Sequence, residues 1–311
     1  MNSRDNPPAA IAADPPLPRG NFMNGSFQDK SMSISRTKTI LIALFVGLSC
    51  LIGHADPRNG TAADPLRLHL RTRVEAFKGS GHWHEVNVDA ELKPRETAII
   101  ICDMWDRHWC AGASRRVGIL AERMNPILGR ARASGILIIH APSDTMEFYR
   151  DYPQRRRMVE IERIQPPQGL GLKDPPLPID DSDGGCDTPG DTVHKAWTRE
   201  HPGLDIAADD VISDNGQEIY SLLRQKGITT VMICGVHTNM CVLGRSFAIR
   251  QMVNWGLRCI LIRDLTDAMY NPLDRPYVSH EQGTELVIEH IEEYWCPTTT
   301  SADLMATLKT R

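Results

Sequence analysis

Apolar residues follow two kinds of pattern along most of the chain. In four short runs every residue is apolar, as is typical of strands buried on both faces of a parallel sheet. These runs span residues 98–102, 136–139, 231–234 and 259–262. Between them, apolar residues recur every three or four positions, which predicts amphipathic helices. The alternation of buried strands with helices predicts a three-layer α/β/α fold with a mostly parallel central sheet.

Two segments depart from this alternation. Residues 56–96 contain two stretches of alternating apolar and polar residues, around Leu68 and Val86, which we expect to pair as an edge hairpin. Residues 144–194 are rich in proline and contain both a basic run and an acidic cluster. Loops this long are usually functional or disordered, and this insertion is predicted to form a lid or wall over a site. The main domain then spans residues 97–311.

The N-terminal residues 1–55 are interpreted as an extension that ends in an export signal. Residues 40–52 form an uncharged apolar run, shorter than the roughly 20 residues of a bilayer-spanning helix. Arg36 and Lys38 precede the run, and Gly53-His54-Ala55 follows it with the small residues of a cleavage site. We expect cleavage near Ala55 and a periplasmic or extracellular protein without a stable membrane span. An uncleaved anchor is the alternative.

Composition and charge narrow the function classes. The net charge of −4 argues against an electrostatic nucleic-acid binder, which needs a basic surface. Seven of the eight cysteines follow Ala55, so at least one thiol is unpaired in a monomer. In an exported protein an unpaired thiol is a candidate for reactivity. Ser279 and Gln282 form the pattern of a capping box, which predicts the start of the last long helix.

The residues that end the apolar runs are the first candidates for chemistry, because ligands of open parallel sheets bind at the carboxyl ends of the strands. Asp103 follows the first run, His140 the second and Asp264 the last. The run before Gly235 leads to Cys241, where a helix is predicted to begin. Backbone N–H groups and the helix dipole at that position favour a thiolate. Cys241 is therefore predicted to be a nucleophile, with a buried structural cysteine as the alternative.

At these positions the chain resembles a known family. The segment Ala98-Ile99-Ile100-Ile101-Cys102-Asp103-Met104 resembles the aspartate-bearing first strand of the isochorismatase-like cysteine hydrolases, which include nicotinamidases and N-carbamoyl amidohydrolases. The segment Gly235-Val236-His237-Thr238-Asn239-Met240-Cys241-Val242 resembles their nucleophile segment. Lys195 is the best match to the family's catalytic lysine. The resemblance covers residues 97 to 295 and implies self-association into a homo-oligomer.

The resemblance implies an amidase that cleaves a C–N bond of a small amide or ureido substrate, and the N-terminal signal predicts that this amidase is exported. In that mechanism Cys241 attacks the carbonyl as a thiolate, Asp103 and Lys195 keep the sulfur ionised, and a thioester forms. The family also has a cis peptide, which falls here between Val236 and His237. This peptide is expected to aim the backbone N–H groups of His237 and Cys241 at one point, forming an oxyanion hole.

The substrate is expected to contact side chains near these catalytic residues. The predicted substrate-binding residues are Trp105, His108, Trp109, His140, Trp197 and Thr238. No cofactor is expected to be required, and no metal ligands are assigned. The Asp-x-His pair of the nicotinamidase metal site is missing after His140, where the chain continues through Ser143 to Asp144. A divalent metal held by Asp106 and His108, or by His140 and Asp144, stays open.

Three other functions stay open. One is the vinyl-ether hydrolysis of the isochorismatase branch, which needs no cysteine nucleophile. The next is a metal-dependent hydrolase with histidine ligands. Its candidate ligands are His108, His140, His194, His201 and His237. The third is an exported binding protein with a degenerate site, in which the proline-rich insertion closes the pocket or recruits a partner.

Overall fold

The computed structural model describes residues 64–309. The strands are β1 (Leu66–Glu75), β2 (Trp83–Leu92), β3 (Thr97–Cys102), β4 (Leu137–Ala141), β5 (Val211–Ile212), β6 (Thr230–Val236), β7 (Arg258–Asp267) and β8 (Thr298–Thr299). The helices are α1 (Ala111–Ser134), α2 (Pro153–Val159), α3 (Gly216–Gln225), α4 (Cys241–Gly244), α5 (Ile249–Asn254), α6 (His280–Tyr294) and α7 (Ser301–Thr307). The predicted export signal lies outside the described residues.

The strands form one sheet in the order β2-β1-β8-β7-β6-β3-β4-β5. The six strands β8, β7, β6, β3, β4 and β5 are parallel to one another. Strand β1 is antiparallel to both β2 and β8. The mostly parallel sheet is therefore confirmed. The predicted edge hairpin is also confirmed, since β1 and β2 pair along their whole length from Leu66 opposite Leu92 to Glu75 opposite Trp83.

Hydrophobic cores on both faces of the sheet complete the three layers. Successive side chains of a strand point to opposite faces. Ile100 of β3 accordingly packs in one core with Leu223 of α3, while Ile99 packs in the other with Leu128 of α1. All three isoleucines of β3 are fully buried, which explains why its sequence shows no polar alternation. The sequence periodicity thus predicted the α/β/α architecture correctly.

Local sequence signals set the ends of the helices. Ser279 accepts a hydrogen bond from the backbone N–H of Gln282 while the Gln282 side chain accepts from the Ser279 N–H, so the predicted capping box at α6 is confirmed. Asn215 caps α3 by accepting from Glu218 N. The longest helix, α1, ends at Gly135, whose φ of 90° is the left-handed conformation common after a helix.

The proline-rich insertion is mostly without regular structure, and α2 is the helix within it. A disulfide joins Cys186 to Cys110 just before α1, with a Cα–Cα separation of 5.7 Å. The side chain of Asn239, two residues before the predicted nucleophile, donates to Asp181 at 2.7 Å. The insertion is thereby attached both to the start of α1 and to the loop that carries Cys241.

Five cysteines of the described part of the chain are free, and Cys241 is the one with partial exposure. The other four, Cys102, Cys234, Cys259 and Cys296, are buried. Within residues 64–309, no helix combines the length and the apolar composition that a bilayer crossing needs.

Candidate active site

Asp103 and Cys241 are brought together by two adjacent strands. β3 and β6 are parallel neighbours, and Cys102 at the end of β3 pairs with Gly235 near the end of β6. Gly235 has a φ of 109°, and a Cβ at this position would overlap the carbonyl oxygen of Cys102. Only glycine accommodates both the conformation and the close approach. The backbone therefore leaves both strands side by side, as the strand-end rule predicted.

Asp103 is a buried carboxylate held by hydrogen bonds. Its side chain is fully enclosed, and its φ of 46° lies in the left-handed region that aspartate tolerates better than most residues. Oδ1 accepts from the backbone N–H of Ser143 at 2.6 Å, and Oδ2 accepts from Nε of Arg245 at 2.8 Å. Burial raises the pKa of Asp103, while the Arg245 charge and the hydrogen bonds oppose that rise. The arrangement fixes the carboxyl group beside Cys241.

Cys241 begins the short helix α4. The Asp103 carboxylate and the backbone N–H of His237 both lie near enough to its thiol to affect the thiol pKa. Burial, followed by the charge of Asp103, raises the pKa of the Cys241 thiol strongly, despite the opposing effect of Arg245. The resting group is therefore a neutral thiol beside the Asp103 carboxyl group. This differs from the predicted thiolate, because enclosure and an adjacent anion outweigh the dipole of a four-residue helix.

The loop between β6 and α4 exposes backbone donors. The Val236–His237 peptide is cis, as the resemblance implied. The His237 carbonyl accepts from the N–H groups of Met240 and Val242, which curls the loop around the sulfur. In the described part of the chain, the N–H groups of His237 and Cys241 have no backbone carbonyl partner. They are thus free to bind an oxyanion next to the nucleophile.

The cation beside Asp103 is Arg245. Within residues 64–309 it is the one basic side chain within 4.0 Å of the Asp103 carboxylate, and its Nη2 also lies 3.4 Å from Asp144 Oδ2. Lys195 is exposed, and its Nζ donates to the backbone carbonyl of Asp144 at 2.7 Å. The structure therefore places Lys195 at the protein surface, beside the Asp144 backbone, and does not bring it to the Asp103 carboxylate. Sequence reasoning missed Arg245, although a cation four residues after Cys241 is the available signal.

Three aromatic rings form a wall beside the Arg245 side chain. Trp105 and Trp197 stack with centroids 4.2 Å apart, and His108 stacks on Trp197 at 5.8 Å. Trp109 packs against His108 at 5.2 Å. The Arg245 guanidinium lies 5.9 Å from the centroid of the Trp105 ring. These four predicted substrate-binding aromatics do come together, next to the catalytic pair.

His108 of this wall and the neighbouring His237 are both uncharged at neutral pH. Burial lowers the pKa of His108 to about 4, and the positive charge of Arg116 adds to that effect. Burial also lowers the pKa of His237 to about 3, and its ring meets that of His108 edge-on at 4.9 Å. His237 Nε2 is buried and has no hydrogen-bond partner in the described structure. The wall is therefore aromatic and electrically neutral.

His140 and Thr238, two other predicted substrate-binding residues, are buried and bonded to protein groups. His140 Nδ1 lies 2.7 Å from Glu200 Oε2, and its Nε2 lies 3.2 Å from Asp210 Oδ2. Burial alone would lower the pKa of His140, but the two carboxylates outweigh it and raise the pKa to about 9. The hydroxyl of Thr238 is 2.7 Å from that of Thr266. Both side chains support the interior of the protein, and the structure does not place them on the aromatic wall.

A charged network stabilises the other side of the nucleophile loop. Asp267 at the end of β7 accepts from Arg116 Nε at 2.9 Å and from His280 Nε2 at 2.8 Å. Arg116 also donates to Asp187 of the insertion at 2.6 Å. The Asp267 carbonyl accepts from the N–H of Thr238 at 2.9 Å, which ties the network to the loop.

The expected strand-end position Asp264 lies within β7, which continues to Asp267. β7 shifts its register against β6 after Ile233, and this irregularity moves its end three residues further. The carboxylate of Asp264 accepts from both N–H and Oγ of Ser301, the first residue of α7. Asp264 therefore serves the last helix and lies outside the catalytic pair.

The residues present do not fit a nicotinamidase-type metal site. Asp106 is occupied by hydrogen bonds from Thr198, and His108 Nδ1 accepts from the N–H of Cys110. Asp144 pairs with Arg245. The His140 nitrogens face Glu200 and Asp210 as described above. The two metal pairs that the sequence left open thus have their donors committed to protein groups.

One other group of potential ligands comprises Cys110, Cys186 and Asp191, whose ligand atoms lie within 4.8 Å of one another. The two sulfurs are joined in the disulfide, whereas cysteine ligates metals as a thiolate. The group does not fit a metal ion in this state.

Comparisons with known proteins find similarity to one family. Residues 214–303 match the family model of the isochorismatase domain. No curated protein matches the chain. A solved cysteine hydrolase from Pseudomonas syringae pv. phaseolicola 1448A is 21% identical, with a TM-score of 0.45, over 70% of this chain and 93% of that one.

Two further solved structures are similar. An isochorismatase from Pseudomonas putida KT2440 is 17% identical over 67% of this chain and 90% of its own, with a TM-score of 0.39. A pyrazinamidase of Pyrococcus horikoshii in complex with zinc is 18% identical over 66% of this chain and 99% of its own, with a TM-score of 0.38. The predicted resemblance to the isochorismatase-like cysteine hydrolases thus has a counterpart in residues 214–303, the segment that matches the isochorismatase model and contains Cys241 and Arg245.

Proposed function

We propose that this hydrolase cleaves a C–N bond of a small amide or ureido substrate through a thioester on Cys241. The observation that carries the proposal is the proximity of the Cys241 thiol and the buried Asp103 carboxylate at the ends of adjacent strands, next to two backbone N–H groups without carbonyl partners in the described part of the chain. A nucleophile, a base that touches it and donors for an oxyanion are the parts that acyl transfer needs.

Acylation begins with the neutral thiol. As Sγ bonds to the substrate carbonyl carbon, the thiol proton passes to Asp103 and the carbonyl oxygen becomes an oxyanion. The N–H groups of His237 and Cys241 receive that oxygen. Asp103 then gives its proton to the leaving nitrogen, the C–N bond breaks, and ammonia or an amine departs. A thioester on Cys241 and an ionised Asp103 remain.

Deacylation uses the same groups with water as the nucleophile. Asp103 takes a proton from water as its oxygen attacks the thioester carbon, and the same N–H groups receive the oxyanion. The C–S bond then breaks, the proton returns to the sulfur, and the acid product leaves. Asp103 thus acts as a base and an acid in each half-reaction, which requires its protonated and ionised forms to be close in free energy.

The surroundings of Asp103 and Cys241 support a substrate whose reacting group is small and uncharged. The stacked rings of Trp105, Trp197 and His108 offer a flat apolar face beside Arg245, and the neutral His237 ring lies at its edge. A planar amide or ureido group lies well against such a face. We place the substrate between this wall and the sulfur. No cofactor has a part in the scheme.

Export and self-association are parts of the proposal. Disulfides persist in oxidising compartments, so the Cys110–Cys186 bond supports a periplasmic or extracellular protein. The export signal ending near Ala55 is the proposed route. A homo-oligomer of the mature chain is proposed from the resemblance alone.

An ammonia-release screen over small amides and N-carbamoyl compounds, run with and without a chelator, tests the function. We expect release from at least one compound, no effect of the chelator, and loss of activity in Cys241→Ala and Asp103→Asn variants that remain folded. Residual catalysis of about a thousandth or less is expected, because the nucleophile and base act as a unit. Full activity of folded Cys241→Ala would contradict the thioester and favour vinyl-ether or metal-dependent hydrolysis.

A further inference from the structure

We infer, on the basis of the proposed function, that Arg245 is the positioning residue that keeps Asp103 ionised and oriented for the Cys241 proton, in the place where the family resemblance assigns a lysine. Arg245 comes from the segment that carries the nucleophile, whereas Lys195 comes from beyond the insertion. The charge of the catalytic pair is therefore balanced by a residue within the isochorismatase domain match.

The contacts of Arg245 are those of a residue that fixes a carboxylate. Nε donates to Asp103 Oδ2 at 2.8 Å, while the other carboxylate oxygen is held by Ser143 N. Nη2 lies 3.4 Å from Asp144 Oδ2, and the guanidinium carbon lies over the Trp105 ring, 5.9 Å from its centroid. The Arg245 side chain thus joins the Asp103 carboxylate, the Asp144 carboxylate and the Trp105 ring of the aromatic wall.

Burial explains why this ion pair affects chemistry. The Asp103 side chain is 0% exposed, so its charged form loses hydration and needs a compensating cation. The thiol of Cys241 and that of the buried Cys102, the residue before Asp103, are both neutral at rest because burial raises their pKa values. Lys195 contacts the Asp144 carbonyl, and the Asp144 carboxylate contacts Arg245; neither Lys195 nor Asp144 has a side-chain contact with Asp103 in the described structure. Arg245 is therefore the charge that decides the protonation state of Asp103.

The short helix α4 explains how one segment supplies both partners. Arg245 follows its last residue, and the Arg245 N–H donates to the Cys241 carbonyl at 3.0 Å. Residues four apart lie on the same face of a helical turn, so the thiol and the guanidinium reach the same carboxylate. An arginine also presents several donors in a fixed plane, which a lysine ammonium does not. Lysine at position 245 would retain the charge and lose the joint contact with Asp144 and Trp105.

The test compares Arg245→Gln, Arg245→Lys and Lys195→Gln with the wild-type protein. The matched control is Arg250→Gln, because Arg250 also pairs with an aspartate, Asp174 at 2.8 Å, and also lies over an indole, that of Trp295 at 5.6 Å. Two profiles against pH are measured: amide hydrolysis, and alkylation of Cys241 by iodoacetamide followed by peptide mass spectrometry. Alkylation needs no substrate, so it tests Arg245 even if none of the screened amides is hydrolysed.

Loss of the guanidinium raises the pKa of Asp103, and the carboxylate then accepts the thiol proton only at higher pH. In Arg245→Gln we expect the acidic limb of both profiles to move up by about one unit or more. We also expect hydrolysis at neutral pH to fall about 100-fold. In Arg245→Lys the acidic limb of both profiles should stay within about half a pH unit of wild type, because the positive charge is retained. Arg250→Gln and Lys195→Gln should keep the wild-type limb.

Three results would overturn the inference. One is an unshifted limb in folded Arg245→Gln. Another is the same shift in Lys195→Gln, which would return the role to Lys195. The last is a shift of a full unit or more in Arg245→Lys, a variant that also decides the question if Arg245→Gln does not fold. If Cys241→Ala loses hydrolysis but the acidic limb of Arg245→Gln is unshifted, the proposed function stands and only the positioning role of Arg245 is rejected.

Discussion

At the scale of single residues, the site depends on how each ionisable group is paired. Burial raises the pKa values of both Asp103 and the Cys241 thiol, because the protein interior stabilises their charged forms less well than water does. His140 shows the opposite outcome, since a buried imidazole between two carboxylates holds its proton more tightly than in water. Partner geometry therefore decides whether a buried group serves catalysis or stability.

His140 carries a prediction about the pH dependence of folding. Its pKa is about 9 in the folded protein against an ordinary 6.5, so the folded state binds the proton more tightly. The stabilisation is complete below about pH 6.5 and is lost as the pH rises through about 9. This difference is worth about 3 kcal/mol.

Urea unfolding of wild type and His140→Gln at pH 6 and pH 9.5 measures this effect. We expect the free energy of unfolding to fall more steeply with pH in the wild type than in the variant, which cannot bind the proton. The variant should also be the less stable at pH 6, because Glu200 and Asp210 lose their shared cation. Parallel pH dependences in the two proteins would show that His140 is not the responsible group.

The residue scale also shows what a single sequence cannot predict. Cys241 and Asp103 were predictable because a strand-end position and a motif coincide at each. Arg245 was not, because its role depends on the direction of one side chain after a four-residue helix. His140 and Asp264 follow apolar runs as Asp103 does, yet His140 ends buried and Asp264 lies inside its strand. The pattern of apolar residues does not show which face of a strand end is open.

At the scale of elements, the close contact between β3 and β6 sets the position of the site. Gly235 lies against the backbone of Cys102 in a conformation that other residues avoid. Any side chain there has to push the two strands apart just before Asp103 and the nucleophile loop. The spacing of these strands is thus a structural condition for the contact between the carboxylate and the thiol.

Gly235→Ala tests this condition. We expect a loss of about 2–5 kcal/mol in the free energy of unfolding, from the positive φ together with the clash. The control is Gly227→Ala, where φ is also positive, at 67°, but no atom lies within 4 Å of the added Cβ. That control should lose only about 1–2 kcal/mol. Equal losses in urea unfolding of the two variants would mean that the close approach of β3 and β6 is not limiting.

Element types were readable from the sequence where burial is complete. The four apolar runs became β3, β4, β6 and β7, and the alternating stretches became the β1–β2 hairpin. The short strands β5 and β8 have two residues each, too few for any period to be visible. Their pairing depends on neighbours distant in sequence, which a local pattern does not contain.

At the scale of the whole molecule, the insertion connects layers that the sheet alone does not. The Cys110–Cys186 bond and the Asn239–Asp181 hydrogen bond attach it to α1 and to the nucleophile loop. Its length and proline content predicted a lid or wall over a site, which stays a prediction. The disulfide pairing was not predictable, because seven cysteines allow many pairs and only the folded chain brings two of them to 5.7 Å between Cα atoms.

The molecule as a whole is organised around one event, the transient bonding of a substrate acyl group to Cys241. Mass spectrometry of the intact protein, quenched during turnover of an amide found in the screen, observes that event directly. We predict an added mass equal to the acyl group, located at Cys241 by peptide mapping and absent from Cys241→Ala. Turnover with no acyl adduct in any quenched sample, together with full activity of the Cys241→Ala protein, would contradict the account.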